Sequence, residues 1–203
     1  MRRGTYYVNQ NDYPQIPYMT DVVVRSDPRF YEQGNVKLAG CGLCSAAMLV
    51  YDLLGLKDPL EKFIDLSYQV KANHEIGTDM LMYGPALAVR YDLDMNISNE
   101  EDEVTACLAA GGACIANVGG DREGHTGVFS HGGHYIYIYG YDPHTKEFQI
   151  LDPSWEEGKY EEEGRQGKVR KEGDTALCTA QILKEDTANR TPGYYLFSRR
   201  DHK

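Results

Sequence analysis

At 203 residues the chain is long enough to bury a core without a disulfide or metal staple, and it fits one domain spanning residues 1–203. It carries 21 basic against 31 acidic residues, a net charge of −10, with no Lys/Arg stripe to track a phosphate backbone, which argues against nucleic acid as a partner. No run approaches the roughly 20 apolar residues of a membrane span, Met1-Arg2-Arg3 leads into polar sequence rather than a signal-peptide segment, and five cysteines, an odd number, argue against a disulfide framework and for a reducing, cytoplasmic setting.

In chain order, the first 40 residues hold Pro14, Pro17, Pro28 and scattered glycines and read as an extended arm with loops. From Cys41 the run Gly-Leu-Cys-Ser-Ala-Ala-Met-Leu-Val-Tyr-Asp-Leu-Leu is rich in helix formers and stops at Gly55, so a largely buried helix is predicted there. Asp58-Pro59 supplies an N-cap and first-turn proline for a second helix, with Leu60, Phe63, Ile64 and Ser67 on one face. Thr78 opens a third through about Val89, weakened or kinked at Pro85, and Ser98 with Glu101 forms a capping box for a fourth over Val104, Cys107 and Leu108.

Beyond Gly111-Gly112 the apolar period becomes two, predicting strands at 114–118, 134–140, 148–152 and 194–198. Helices first and an antiparallel sheet second make an α+β order. Sixteen tyrosines, more than all other aromatics together, fit half-buried strands and a groove with polar-tipped walls. Residues 156–173 are dense in Glu, Lys, Arg and Gly and read as a solvated surface loop.

The informative stretch runs from His134 to Asp152 and reads as a β-hairpin turning at Asp142-Pro143-His144. Alternation places His134, Ile136 and Ile138 on one face of the first strand and Phe148, Ile150 and Asp152 on one face of the second. With Pro143 at the centre, Ile138 faces Phe148, Ile136 faces Ile150 and His134 faces Asp152. Opposed Cβ atoms lie about 4.5–5.5 Å apart, within reach of an imidazole–carboxylate hydrogen bond. That bond satisfies a buried carboxylate and fixes the imidazole tautomer, freeing the other ring nitrogen to act as a base. Ser130-His131-Gly132-Gly133 brings backbone without bulky side chains just ahead of His134, as expected where a ligand comes close.

Cys41, between Gly40 and Gly42, stands at the start of the buried helix, where the dipole favours a thiolate. A nearby imidazolium would lower its pKa further and activate it as a nucleophile. Cys107, Cys114 and Cys178 fall in apolar or mild contexts and read as packing residues.

Three blocks give the chain a resemblance to a known family: Asn9-Gln10-Asn11-Asp12-Tyr13-Pro14-Gln15-Ile16-Pro17-Tyr18; Gly40-Cys41-Gly42-Leu43-Cys44-Ser45-Ala46-Ala47-Met48; and Gly132-Gly133-His134-Tyr135-Ile136, followed by Gly140-Tyr141-Asp142 and Asp152-Pro153. In this order they resemble the C39-like peptidases, a branch of the papain-like cysteine peptidases, from Tyr6 to the last strand. The resemblance implies a papain-like fold, a peptide or protein substrate, no metal and no cofactor. It also implies amide hydrolysis through a thioester, with Cys41 as nucleophile, His134 as proton shuttle, Asp152 orienting His134 and Gln10 donating to the oxyanion. The interval from Tyr18 to Gly40 is long, which leaves Gln33 as an alternative donor, and Leu43-Cys44 stands where relatives more often have Pro and a small polar residue.

Three rival readings accompany this one. Cys41-Gly-Leu-Cys44 is a CxxC at a helix start, as in thioredoxin-like oxidoreductases, but it lacks a preceding central strand. Cys41, Cys44, His131 and His134 formally offer four zinc ligands, with a spacing between the histidines shorter than usual. The third is a catalytically inactive member of the fold that binds peptide. Amidase, deamidase or transpeptidase chemistry would use the same residues. Tyr135 and the loop 119–131 are expected to border the cleft, the loop as a mobile rim or an ordinary surface loop.

Overall fold

The computed structural model describes residues 3–20, 34–74 and 77–200. Gln33, the alternative oxyanion donor, lies outside the described residues, as do the apolar residues near 22–24 and 30–31.

The helical part begins with a short 3₁₀ turn, Gln10–Asp12, and the one-turn helix α1 (Val36–Ala39), whose N-cap Asn35 side chain accepts from Leu38 N. Helix α2 (Cys41–Leu54) is buried on nearly every side, from Gly42 to Leu53. It ends at Gly55, in the left-handed conformation at φ 74° with its N–H returned to the Tyr51 carbonyl, a geometry glycine adopts without a Cβ clash. Helix α3 (Leu60–Gln69) buries Leu60, Phe63, Ile64 and Ser67 as predicted, but Asp58 does not cap it. Its carboxylate is taken instead by Lys62 Nζ at 2.7 Å and Tyr91 OH at 2.9 Å. Helix α4 (Met80–Tyr91) is capped by Asp79 rather than opened by Thr78, and it continues through Pro85.

A strand the sequence reading missed, β1 (Leu93–Ser98), follows, and then α5 (Glu101–Ala109). The expected capping box does not form, because Ser98 ends β1 and its Oγ accepts from Glu100 N, leaving Glu100 as an N-cap without a side-chain bond. The remaining elements are β2 (Ala113–Val118), β3 (His134–Asp142), β4 (Glu147–Leu151), β5 (Arg170–Glu172), β6 (Thr175–Thr179), α6 (Ala180–Thr187) and β7 (Tyr194–Arg199). Among the described residues seven strands form one sheet in the order β1-β7-β2-β3-β4-β6-β5, with every pairing antiparallel.

Both faces of the sheet are covered. Tyr137, Ile115, Leu151 and Phe197 pack under α2, α3 and α4, while Ile136, Ile138, Phe148, Ile150 and Ala116 pack under α5, α6 and the loop holding Val128 and Phe129. The tyrosines of β3 are therefore not uniformly half-exposed. Tyr137 is fully buried and donates its hydroxyl to Asp52 Oδ2 at 2.9 Å.

The hairpin register differs from the predicted one. Ile138 pairs with Ile150 and Tyr137 with Leu151, a bulge follows between Ile138 and Gly140, and Tyr141 pairs with Phe148. The turn is longer than a single Pro143-centred bend. The Asp142 side chain accepts from His144 N, the Asp142 carbonyl accepts from Lys146 N, and Lys146 sits at φ 58°. Near the His134 end the shift is two residues, which preserves the faces because side chains alternate with period two. His134 and Asp152 stay on one side, with Asp152 just beyond the end of β4 and diagonal to His134 rather than directly opposite.

The segment 156–173 is not a plain solvated loop. Its Lys159–Glu161 turn buries Lys159 and Tyr160, Arg165 is only 2% exposed, and β5 closes the sheet edge. The chemistry of this segment belongs to the site. Among the described residues no helix is long and apolar enough to cross a membrane.

Candidate active site

Cys41 is the first residue of α2, whose N-terminal turn abuts the start of β3, where Ser45 Oγ donates to the Tyr135 carbonyl. The thiol is partly exposed to a cleft that His134 also lines, and the neighbouring imidazole favours its thiolate form. Burial by itself would raise its pKa. The His134 imidazole and its charge, with the backbone N–H groups of Tyr135 and Gly42, outweigh burial and bring it below its ordinary value.

His134 is the first residue of β3, paired with Val118 of β2 and 5% exposed. Its Nε2 lies 2.8 Å from Asp152 Oδ1 and 2.9 Å from Ser154 Oγ, which leaves Nδ1 as the ring nitrogen for the thiol. Burial disfavours the imidazolium, but Asp152 and Cys41 together raise the His134 pKa above its ordinary value.

Asp152 is fully buried and every lone-pair direction is used. Oδ1 accepts from His134 and from Ser154 N at 2.9 Å, and Oδ2 accepts from Lys159 Nζ and Tyr160 OH, both at 2.6 Å. Burial would raise its pKa, yet the Lys159 charge first and the His134 bond next hold it well below the usual carboxylate range. Lys159 Nζ also donates to Ser154 Oγ at 2.8 Å, so cation, carboxylate, hydroxyl and imidazole form one closed network. Tyr7 OH donates to the Asp152 carbonyl at 2.6 Å.

Gln10 is buried, at 8% exposed, on the 3₁₀ turn before α1. Its backbone N–H donates to the Pro153 carbonyl at 2.6 Å and its Nε2 to the Lys37 carbonyl at 2.7 Å, while Oε1 has no partner among the described residues. Gln10, Cys41, His134 and Ser154 border one cleft of about 530 Å³. Thr78, Asp79 and His74 form its helical wall, and Asn117, Gly133 and Arg190 its sheet wall. A larger hollow of about 740 Å³, bordered by Arg3, Thr105, Tyr139 and Gln149, holds none of the site residues.

The Peptidase_C39 like family model matches residues 7–171. The chain belongs to this family. The C39-like fold is shared with a solved structure, that of a candidate C39-like peptidase from Bacillus anthracis, which is 15% identical, covers 80% of this chain and 90% of that one, and superposes with a TM-score of 0.51. The peptidase domain of Streptococcus ComA, a bifunctional ABC transporter involved in a quorum-sensing pathway, is 13% identical over 79% of this chain and 91% of that one, with a TM-score of 0.49. No curated protein matches the chain.

The C39-like fold brings Cys41, His134 and Gln10 to one cleft, with Asp152 buried behind His134, and it disposes of two rival arrangements. Cys44 is fully buried and its thiol is raised well above its ordinary value by burial, and the antiparallel sheet has no βαβ unit to support a thioredoxin-like CxxC. His131 points away to Asp121 and Glu162 at 2.8 Å each, and among the described residues no three His, Cys, Asp or Glu side chains are placed to hold a metal ion. Tyr135 and Ser130 reach the cleft, but the loop 119–131 is packed rather than a free rim. Buried Asp186 accepts from His125 Nε2 and from the backbone N–H groups of Val128 and Phe129.

Ser154, Lys159, Tyr160 and Arg190 escaped the sequence reading. The one local signal for Tyr160 was an isolated aromatic within a charged run, following the chain's single tryptophan, Trp155.

Proposed function

We propose that the chain is a cysteine peptidase or amidohydrolase that acts through a thioester acyl-enzyme. The reading rests on one observation: a thiol and an imidazole line the same open cleft, and a fully buried carboxylate is hydrogen-bonded to the imidazole from behind. In this reading the Cys41 thiolate attacks the carbonyl carbon of a peptide or amide. The oxyanion is met by the second hydrogen of Gln10 Nε2, whose first is held by the Lys37 carbonyl, and by the Cys41 N–H in the first helical turn. His134 protonates the leaving amine, later takes a proton from water, and the water oxygen displaces Cys41 from the thioester. Asp152 keeps the imidazole oriented throughout, and Lys159 and Tyr160 hold Asp152 ionised and in place. With all five thiols free, the reading extends to a reducing compartment such as the cytoplasm.

The test is stoichiometric alkylation of Cys41 by iodoacetamide near neutral pH, coupled to cleavage of a mixed peptide library followed by mass spectrometry. Wild type should alkylate at Cys41 ahead of the other four thiols and cut the library, and Cys41→Ser and His134→Ala should abolish both. A Cys41 no more reactive in wild type than in His134→Ala would refute the nucleophile assignment. Selective alkylation without cleavage of any peptide or amide would refute the hydrolase and leave a peptide-binding role.

A further inference from the structure

The cleft carries a cation that the proposed chemistry does not use. Arg190 follows α6 in the loop that leads to β7 and lines the sheet wall beside Gly133 and His134. Among the described residues its guanidinium makes no hydrogen bond or ion pair, whereas Arg3, Arg122, Arg165 and Arg199 are held by backbone carbonyls and Arg170 and Arg200 by carboxylates. The side chain is half-buried at the cleft wall, and its Nε is buried without an acceptor among the described residues. A solvated surface arginine would not be left in that state.

Its position is held by shape. A Cβ on Gly133 would fall 2.5 Å from Arg190 Nη2, so the guanidinium lies directly over backbone that has no side chain. The acidic groups of the site are already committed. Asp152 is enclosed by His134, Lys159 and Tyr160. Across the cleft, Asp79 gives one oxygen to His74 Nε2 at 2.9 Å and the other to Leu81 N at 2.9 Å, capping α4. The cleft thus presents one planar donor group with no carboxylate among the described residues to receive it.

Resting on the peptidase reading, we propose that Arg190 is a specificity residue that binds a carboxylate of the peptide substrate. A guanidinium suits this task because its planar fork matches carboxylate geometry and stays charged at any working pH. Either an acidic side chain or a terminal carboxylate supplies the same chemistry.

Small affinity labels separate the two sources without requiring turnover. Bromoacetyl-Glu-amide and bromoacetyl-Gln-amide differ only in a side-chain carboxylate, and bromoacetyl-Gly and bromoacetyl-Gly-amide only in a terminal one. In each, Cys41 Sγ bonds to the methylene carbon as bromide leaves and the thiol proton passes to His134 or solvent. Rates at Cys41 are read by mass spectrometry in about 0.15 M salt, where the Debye length of roughly 8 Å suppresses long-range attraction. Wild type should label at least ten-fold faster with the acid of one pair than with its neutral partner. Arg190→Gln should reduce that preference to under about two-fold while leaving the neutral rates unchanged, and Arg190→Lys should retain part of it.

An acid-to-neutral ratio that is the same in wild type and Arg190→Gln for both pairs overturns the proposal. A ratio that depends on Arg190 supports it whether or not the nucleophile assignment stands, because that assignment is judged separately by the neutral label in His134→Ala. Circular dichroism of Arg190→Gln guards against misfolding, and if that variant fails to fold, the ratio in Arg190→Lys decides.

Discussion

Replacing Asp152 with Asn keeps its shape and removes its charge, and the structure says what that disturbs. If the amide oxygen takes the Oδ1 place, facing His134 Nε2 and Ser154 N, the amide NH₂ faces Lys159 Nζ, donor against donor. If the amide is turned over, Lys159 regains an acceptor but Ser154 N and the His134 N–H lose theirs. Lys159 is 7% exposed and Asp152 fully buried, so little water is available to solvate the stranded ammonium. Breaking a buried ion pair by removing one partner costs about 3–5 kcal/mol, and Asp152→Asn should lose that much in urea unfolding at pH 7 followed by circular dichroism. Lys159→Met should cost somewhat less, because Asp152 keeps Tyr160, Ser154 N and His134 as donors. The double variant has neither a stranded ammonium nor a lone carboxylate and should cost about 3 kcal/mol less than the sum of the two single losses, a coupling at the upper end for contacting residues. The pH dependence has a fixed sign. Asp152 titrates below its ordinary value in the folded protein, so its stabilisation is present above about 3.8 and is lost as pH falls through the folded value. The gap between wild type and Asp152→Asn should therefore narrow in acid. Additive losses within about 0.5 kcal/mol, or a single-variant cost below about 1 kcal/mol, would refute the buried-pair account.

Gln10→Ala should lower kcat by about 10²–10³-fold, the usual loss for one oxyanion donor. Its iodoacetamide rate should be unchanged, because alkylation develops no oxyanion, and an equal fall in both would assign Gln10 a structural role. The thiol of Cys41 titrates below its ordinary 9.0 and His134 above its ordinary 6.5, so kcat/KM against pH should be a bell whose limbs belong to the pair, and His134→Ala should move the Cys41 alkylation midpoint upward. In stability, the raised His134 contributes fully below 6.5 and loses its contribution as pH rises through its folded value, so with Asp152 the network is strongest between about 3.8 and 6.5. Asp186→Ala should cost about 2–5 kcal/mol, since it orphans the buried N–H groups of Val128 and Phe129 as well as His125. Hydrogen exchange should then speed up at those two amides, and unchanged exchange would refute the anchoring role.

The helical half was legible because its signals are local. The Cys41–Leu54 helix and its Gly55 stop follow from composition and one left-handed residue, and α3 follows from the spacing of its apolar face. The hairpin was half legible. Period-two alternation assigned the faces, but register depends on the turn, and nothing in Asp142-Pro143-His144 announces the left-handed Lys146 or the bulge that follows Ile138. His134 and Asp152 were therefore paired through an incorrect register whose error happened to be even near the site. Strand β6 was lost because Ala-Leu-Cys carries little β-branched character, and β1 because its Ser98 also reads as a helix cap.

Lys159 shows why the remainder of the site could not be read. It lies in Glu-Glu-Gly-Lys-Tyr-Glu-Glu-Glu, where every local rule predicts solvent, and it is buried only because Asp152 is. A charge is taken out of water only against a partner, so the decision belongs to the fold. The same logic joins the two ends of the site. Tyr7 OH binds the Asp152 carbonyl, Gln10 N the Pro153 carbonyl and Asn9 Nδ2 the Trp155 carbonyl. The N-terminal arm is thus laced to the segment that runs from Asp152 toward Lys159. The residue assigned to the oxyanion and the one assigned to orient the base share a backbone clamp, although 142 positions separate Gln10 from Asp152 in sequence. Loosening that clamp should disturb both at once, which makes the arm a component of the site rather than a tail to it.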